Sequence, residues 1–257
     1  MNYYADRDKN RERARQITDF MRDHFKEEIS DRVSRTKTYE LLGKDVIPKS
    51  DKPIHGIDLK VINSDSVSAI FDIPNGDLRI GVLNFASYTN PGGKFLMGSS
   101  AQEEALCHSS YLFNVLREQD KYYYWNRKNK NNNLYLHRAL YSPEIRFFRK
   151  DEDKLCDVIT CAAPNLRHHF NLTDSEYREL LIKRMSLVKW IAEDNNIDVL
   201  ILGAWGCGVF QNIPEVVAQC FKEVLSESTS IMFCVYAIPD KDSIGEANKE
   251  AFEKFLL

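Results

Sequence analysis

The turn Asn90-Pro91-Gly92-Gly93-Lys94 is followed, after a spacer of seven residues, by Gln102-Glu103-Glu104. Paired glycines let backbone come close to a ligand, and a carboxylate pair just beyond them puts acid/base groups beside whatever is held. The same residues also have a plainer reading. Ser100 with Glu103, like Ser99 with Gln102, has the spacing of a helix capping box, in which the acids only sit on the positive end of a helix dipole. A second ligand-holding loop nearby favours the chemical reading.

That second constellation is Gly203-Ala204-Trp205-Gly206-Cys207-Gly208-Val209-Phe210, between the apolar run ending at Leu202 and a helix start at Pro214. Pro214 suits a first helical turn because its φ is fixed. A strand, a glycine-rich loop and a helix start can present successive amide N–H groups to an anion, with phosphate or diphosphate the usual guest. The loop is neither a dinucleotide fingerprint nor a Walker sequence. Both glycine loops follow apolar runs that read as parallel strands, so both can lie at the carboxyl ends of neighbouring strands and flank one crevice. Glu103 and Glu104 then form part of its wall.

The elements that would position these loops alternate in type. Strands are expected at Leu59 to Ile62, Ile80 to Phe85, Val158 to Ala162, Val199 to Leu202 and Ser230 to Ala237. Helices are expected near Gln102 to Leu116, Thr173 to Asn195, Pro214 to Leu225 and Ser243 to Leu256, with Thr173 to Glu176 as an N-terminal signature. Near-continuous apolar strands separated by helices predict a sheet covered on both faces, a three-layer α/β/α sandwich. Residues Asp6 to Ile29 place Ala14, Ile17, Phe20, Met21 and Phe25 at helical spacing, which predicts an amphipathic helix packed on the domain edge. A looser stretch with Gly43, Pro48, Pro53 and Gly56 follows, so the main domain is expected over 57–257 and a helical extension over 1–56. Between Asp120 and Asp153, an asparagine-rich tract between aromatic runs predicts an exposed loop on an inserted hairpin, with Tyr122 to Tyr124 at strand spacing and without a site role.

Composition narrows the function class. The 257 residues are 43% hydrophobic, with a formal net charge of -3. No apolar run approaches the roughly 20 residues of a membrane helix, so a soluble protein without membrane association is expected. The charge gives no general attraction to nucleic acid, and the cluster Arg127, Lys128 and Lys130 reads as a solvated loop. The amino terminus is polar where an export signal would be apolar, which makes the cytoplasm the expected compartment. The six cysteines, Cys107, Cys156, Cys161, Cys207, Cys220 and Cys234, contain no C-x-x-C pair and read as buried thiols. His168-His169 has no carboxylate at ligand spacing and reads as loop surface, so no metal site is expected. Asp65, just after the first strand, can accept from a nucleobase amine or cap a helix.

Val82 to Ser87, Asn90-Pro91-Gly92-Gly93, Ala101 to Cys107 and Gly203 to Phe210 together resemble the microbial-type poly(ADP-ribose) glycohydrolases, which are macrodomain proteins. The resemblance runs from about Asp6 to the carboxyl terminus and includes Tyr141-Ser142-Pro143 through Phe148-Arg149. It implies a macrodomain with a mixed central sheet, and hydrolysis of ribose–ribose O-glycosidic bonds to release ADP-ribose. Carried over by position, Glu104 is the acid/base and Glu103 holds ribose hydroxyls. Gly206, Cys207, Gly208, Val209 and Phe210 wrap the diphosphate, Phe210 packing on the distal ribose. Asn90, Gly92, Gly93, Gln102 and Ser87 belong to the ligand side, and Asp65 is the candidate for adenine. The implied partner is ADP-ribose, its polymer or an ADP-ribosylated macromolecule, met by a monomer with no cofactor. The family's third glycine is Lys94 here, whose Cβ is expected to displace a loop needing positive φ. The alternatives are an ADP-ribose-binding reader whose catalysis has decayed through Lys94, or a hydrolase of single ADP-ribose groups from protein or nucleic acid.

Overall fold

A computed structural model describes residues 3–41, 57–167, 171–226 and 229–256. Its strands are β1 (Lys37–Glu40), β2 (Asp58–Ile62), β3 (Ile80–Phe85), β4 (Arg138–Arg149), β5 (Glu152–Cys161), β6 (Val199–Leu202) and β7 (Phe233–Ala237). They form one sheet in the order β1-β4-β5-β3-β6-β7-β2. β5, β3, β6, β7 and β2 run parallel, while β4 and β1 add antiparallel pairings at one side. β6 is buried at every position and β3 at all but its last, as apolar strands covered on both faces must be. The segments leaving Ile62, Phe85, Cys161, Leu202 and Ala237 therefore emerge at one end of the sheet, where ligands bind in such folds.

One face is covered by α7 (Asp174–Asp194), α8 (Pro214–Ser226) and α9 (Ser243–Leu256), whose Leu181, Val188, Phe221 and Phe252 pack with Leu83, Leu200 and Tyr236. The other is covered by α1 (Tyr3–His24), α3 (Ser66–Asp72), α4 (Gln102–His108), α5 (Leu112–Leu116) and α6 (Asp120–Lys128), whose Ala14, Ile70, Leu106, Val115 and Tyr123 surround Val82 and Val158. This is the expected three-layer arrangement. The signature at Thr173 is a complete capping box with Glu176, and Pro214 opens α8.

Several expectations need correction. The amphipathic amino-terminal helix is two helices, α1 and α2 (Lys26–Arg35), with Phe25 between them. Phe20 does not join the apolar face but is exposed and stacked on His24 at 4.0 Å. The segment 1–56 is not wholly helical, since β1 lies within it and pairs with β4. Its end, with Gly43, Pro48, Pro53 and Gly56, falls outside the described residues, as do His168 and His169. The expected helix Gln102 to Leu116 is broken into α4 and α5, where Ser110 turns its hydroxyl back to the Leu106 carbonyl at 2.7 Å. The tyrosine run is helical rather than extended. Tyr122, Tyr123 and Asn126 face inward from α6, as positions i, i+1 and i+4 can. Nor do Leu134 to Tyr141 and Ile145 to Phe148 make an inserted hairpin: from Arg138 on they form the single strand β4, which belongs to the central sheet and pairs with β5, the strand expected at Val158 to Ala162, over most of its length. β1 and α3 were not anticipated.

Candidate active site

The first turn of α4 decides between the two readings of Gln102-Glu103-Glu104. Its N-cap is Ala101 with no side-chain cap, so neither Ser99 nor Ser100 forms a capping box. The three side chains instead reach into the strand and loop they face. Gln102 accepts from the Phe85 N–H at 2.8 Å and donates to the Leu83 carbonyl at 2.9 Å and to Ser66 Oγ at 3.1 Å. Its amide thereby clips the start of α4 to the end of β3.

Glu103 and Glu104 are 3% and 6% exposed. Adjacent residues on a helix point ~100° apart, but this pair converges because both belong to the first turn and bend toward the same loop. A Cβ placed on Gly93 would lie 2.6 Å from Glu104 Oε1 and 2.8 Å from Glu103 Oε2. Gly93 also holds φ +61°, so both the space and the backbone angle call for glycine. Glu103 Oε2 accepts from the Ser87 N–H at 2.7 Å and Oε1 from Asn84 Nδ2 at 3.3 Å. Glu104 Oε1 accepts from the Lys94 N–H at 2.8 Å, and its other oxygen has no partner among the described residues. Burial pushes the Glu103 carboxyl up to about 8, the charge of Glu104 adds to that, and the N–H groups of Ser87, Asn84 and Gly92 oppose it.

Lys94 does not disturb the loop. Its φ is −110°, an ordinary angle for any side chain, its side chain is exposed, and the group that matters is its backbone N–H. The expected displacement is thus overturned: the positive φ values belong to Gly92 and Gly93. Asn90 is exposed and closes the turn by accepting at its carbonyl from the Gly93 N–H, while Ser87 Oγ accepts from the Asn90 N–H.

The second loop is held from behind. Buried Asn212 donates to the carbonyls of Pro164 at 2.8 Å and Gly206 at 3.1 Å and accepts from the Tyr177 hydroxyl at 3.1 Å. Gly206 has φ +78°, and a Cβ there would stand 2.5 Å from Asn212 Nδ2. Trp205 is fully buried and donates from Nε1 to the Cys161 carbonyl, tying this loop to the end of β5. The N–H groups of Gly208, Val209 and Phe210 find no acceptor among the described residues, and Val209 is 63% exposed. Cys207 is buried, and burial raises its thiol well above the ordinary range, so it is a filler rather than a nucleophile.

A cavity of about 990 Å³ opens over the carboxyl ends of the strands. Gln102, Gly206, Gly208, Val209, Phe210 and Asp65 line it. Asn90, Gly92, Gly93, Ser87, Cys207 and the two glutamates do not; the carboxylates lie on the inner side of α4, whose other face carries Gln102, Ala105 and His108 along the cavity wall. The chemistry therefore sits at the edge of this space, and hydrogen-bond geometry, not cavity volume, locates it. Asp65 caps α3, accepting from the N–H and hydroxyl of Ser68 at 3.0 Å each.

Three residues that the sequence reading passed over support this frame. Asn84, fully buried in β3, bridges Glu103 and Thr160; a polar residue amid Ile-Gly-Val-Leu-Asn-Phe was a visible signal. Tyr135 stacks on Tyr88 at 4.4 Å and meets Phe210 edge-on at 6.0 Å. Arg184 of α7 is fully buried and donates to the carbonyls of Ala162, Leu134 and Tyr135 and to His137 Nδ1.

A mixed sheet between helical layers, two glycine loops at its carboxyl ends and a buried glutamate pair define a macrodomain-like hydrolase. Comparison with known families matches residues 12–150 to the catalytic domain of microbial-type poly(ADP-ribose) glycohydrolase (PARG). The solved poly(ADP-ribose) glycohydrolase of Thermomonospora curvata is 28% identical, with a TM-score of 0.83, over 96% of this chain and 99% of that one. The same enzyme bound to the inhibitor ADP-HPD gives a TM-score of 0.82 over the same shares. That of Deinococcus radiodurans in complex with ADP-ribose is 26% identical, with a TM-score of 0.75, over 89% of this chain and 96% of that one. No curated protein matches the chain. The chain belongs to the microbial-type poly(ADP-ribose) glycohydrolases and is a glycosidase of that family.

Proposed function

We propose that Glu104 performs the hydrolysis of ribose–ribose O-glycosidic bonds in poly(ADP-ribose), first as general acid and then as general base. The observation that carries this reading is the unequal use of the two carboxylates. Each oxygen of Glu103 already accepts one hydrogen bond from the scaffold and has a single lone pair left for a ribose hydroxyl, whereas Glu104 is anchored by one oxygen and keeps the other wholly for the reaction. Glycoside cleavage passes through an oxocarbenium-like state, so the departing oxygen needs a proton and the attacking water must then lose one. Glu104 serves both steps, while Glu103 steadies the ribose hydroxyls. A diphosphate on the N–H groups of Gly208 to Phe210 stabilises positive charge on the sugar.

Relatives seen with ADP-ribose or ADP-HPD make ADP-ribose the ligand to expect in this cleft. In it Phe210, backed by Tyr135, supports the distal ribose, Asn90 and Ser87 border that sugar, and Asp65 faces the adenine end. Both proton transfers run through carboxyl groups, so the reaction as written calls for no cofactor. No described helix is long and apolar enough to cross a membrane; a cytoplasmic monomer is our working assignment.

The test is release of free ADP-ribose from purified polymer by the unsubstituted chain and by Glu104→Gln. Loss of an acid/base should lower kcat by about 10²–10⁴-fold, with ADP-ribose still bound. Release that survives the substitution would remove Glu104 from the role, and no release by the unsubstituted chain would refute the reading as a whole.

A further inference from the structure

Beyond Lys94 the first glycine loop continues into a short 3-10 turn, Phe95–Met97, which Gly98 closes in the left-handed conformation with φ +80°. The hydrogen bonds of this turn converge on the Lys94 peptide. Its N–H donates to Glu104 Oε1 at 2.8 Å, and its carbonyl accepts from the Met97 N–H at 2.9 Å and the Ser99 N–H at 3.3 Å. The group that anchors Glu104 is therefore placed by whatever holds residues 97–99.

They are held by α1. A Cβ on Gly98 would lie 2.1 Å from the Arg7 carbonyl oxygen and 3.2 Å from the Arg11 backbone nitrogen, so the turn and the helix meet backbone to backbone. Arg7 Nε donates to the Met97 carbonyl at 3.2 Å, and Asn10 Nδ2 to the Gly98 carbonyl at 3.5 Å. Phe95 fixes the other side of the turn, its ring 5.1 Å from that of Phe113 and edge-on to His108 at 4.7 Å. A helix that serves stability buries an apolar stripe. This end of α1 buries none: from Asp6 to Arg13 no residue is buried, and burial begins with Ala14, Thr18 and Met21. A helix end with so little buried surface adds little to global stability and opens locally at low cost. Its polar contacts nevertheless fall on the two carbonyls just beyond the catalytic loop.

We propose that the amino-terminal end of α1 is a strut for the catalytic loop, with Arg7, Asn10 and Gly98 as positioning residues that hold the Lys94 N–H against Glu104. The inference rests on the proposed role of Glu104 and adds that this carboxylate is in place only while the helix end is docked. Gly98 is needed twice over, for its positive φ and for the absence of a Cβ where the Arg7 carbonyl lies. All three act through the Lys94 peptide and not on the substrate.

The experiment uses the full chain and reads three quantities: kcat for release of ADP-ribose from purified polymer, the Kd of ADP-ribose, and hydrogen exchange at the Lys94 amide. Gly98→Ala should lower kcat about a hundredfold, as for ~1 Å misplacement of a reacting group, and leave the Kd within about twofold, because the loop 203–210 is untouched. Arg7→Ala with Asn10→Ala should lower kcat about three- to tenfold, and Arg7→Lys, which keeps a donor, should retain most of the rate. Lys9→Pro breaks the helix between the strut and Ala14; it should lower kcat as Gly98→Ala does, with Tm changed by no more than about 2 °C because only this end opens. In Gly98→Ala and Lys9→Pro the Lys94 amide should exchange faster, while those of Val82 and Leu83 in β3 keep their rates. Unchanged kcat in both variants overturns the strut alone. So does a lowered kcat with unchanged exchange at Lys94, or a Tm that falls in step with kcat, which would return α1 to a purely structural role. Turnover that survives Glu104→Gln would instead refute the functional reading beneath it, whereas faster Lys94 exchange in the α1 variants would still support the strut.

Discussion

The two glycine loops look alike in sequence and are built for opposite purposes. In the loop 90–94 the N–H groups turn inward: Lys94 donates to Glu104, and Gly93 to the Asn90 carbonyl. In the loop 203–210 the scaffold holds side chains and carbonyls, through Trp205 and Asn212, and the N–H groups of Gly208 to Phe210 are left over. The first loop shapes the enzyme's own carboxylates; the second is open to an outside anion. A glycine count treats them as the same motif, whereas the destination of each N–H separates acid placement from ligand binding.

That contrast can be broken most forcefully at Gly93. Gly93→Ala puts a Cβ within 3 Å of both carboxylates at a positive φ, so kcat should fall about a hundredfold or more, as for ~1 Å misplacement of a reacting group. ADP-ribose affinity should change far less; a loss in affinity alone would mean that the first loop binds ligand after all. Asn212→Ala tests the other loop. Removing a buried amide with three hydrogen bonds should cost about 1–3 kcal/mol of stability and raise KM by about tenfold, with kcat at saturation retained; a fall in kcat at unchanged KM would contradict the division.

The glutamate pair gives a pH test. The folded Glu103 carboxyl sits near 8, raised from an ordinary 4.5, so between those values the folded chain keeps a proton that the unfolded chain has released. Its stabilising contribution is complete below about pH 4.5 and declines as pH rises through 8. Over that interval the Tm of the unsubstituted chain should fall relative to Glu103→Gln, by about 2–4 °C for each kcal/mol, and the difference should be smallest at the acid end. Parallel curves would show that Glu103 is ionised throughout. The smallest effect is expected at Lys94→Gly, which keeps the N–H and a tolerated φ: activity should stay within about twofold. A large gain would restore the steric objection that the backbone angle removes.

Legibility followed how local each signal was. β3, β6, the capping box at Thr173 and the start of α8 at Pro214 rest on contiguous pattern and were readable. The tyrosine run misled because aromatic residues favour strands in general, while burial of Tyr122 and Tyr123 beside Val82 and Val158 favoured helix here. β1 is a four-residue edge strand of mostly exposed residues, with too little apolar pattern to detect. At the site, the acids and glycines stood out by type and spacing. The convergence of Glu103 and Glu104 did not, because regular helix geometry argues against it and only the first turn permits it. Asn84 was legible as a polar break in an apolar strand. Arg184 was not, since nothing in a charged 21-residue helix marks which arginine turns inward.

Arg184 carries one more consequence. A guanidinium removed from water must find its acceptors together, and here they come from Ala162 after β5 and from Leu134, Tyr135 and His137 before β4. Peeling the segment 134–137 away alone would strand a charge in the interior, so that corner has no inexpensive partial opening. Its amides should exchange with solvent deuterium only when α7 also lets go, which leaves the ring of Tyr135 behind Phe210 among the last parts of the cleft to loosen.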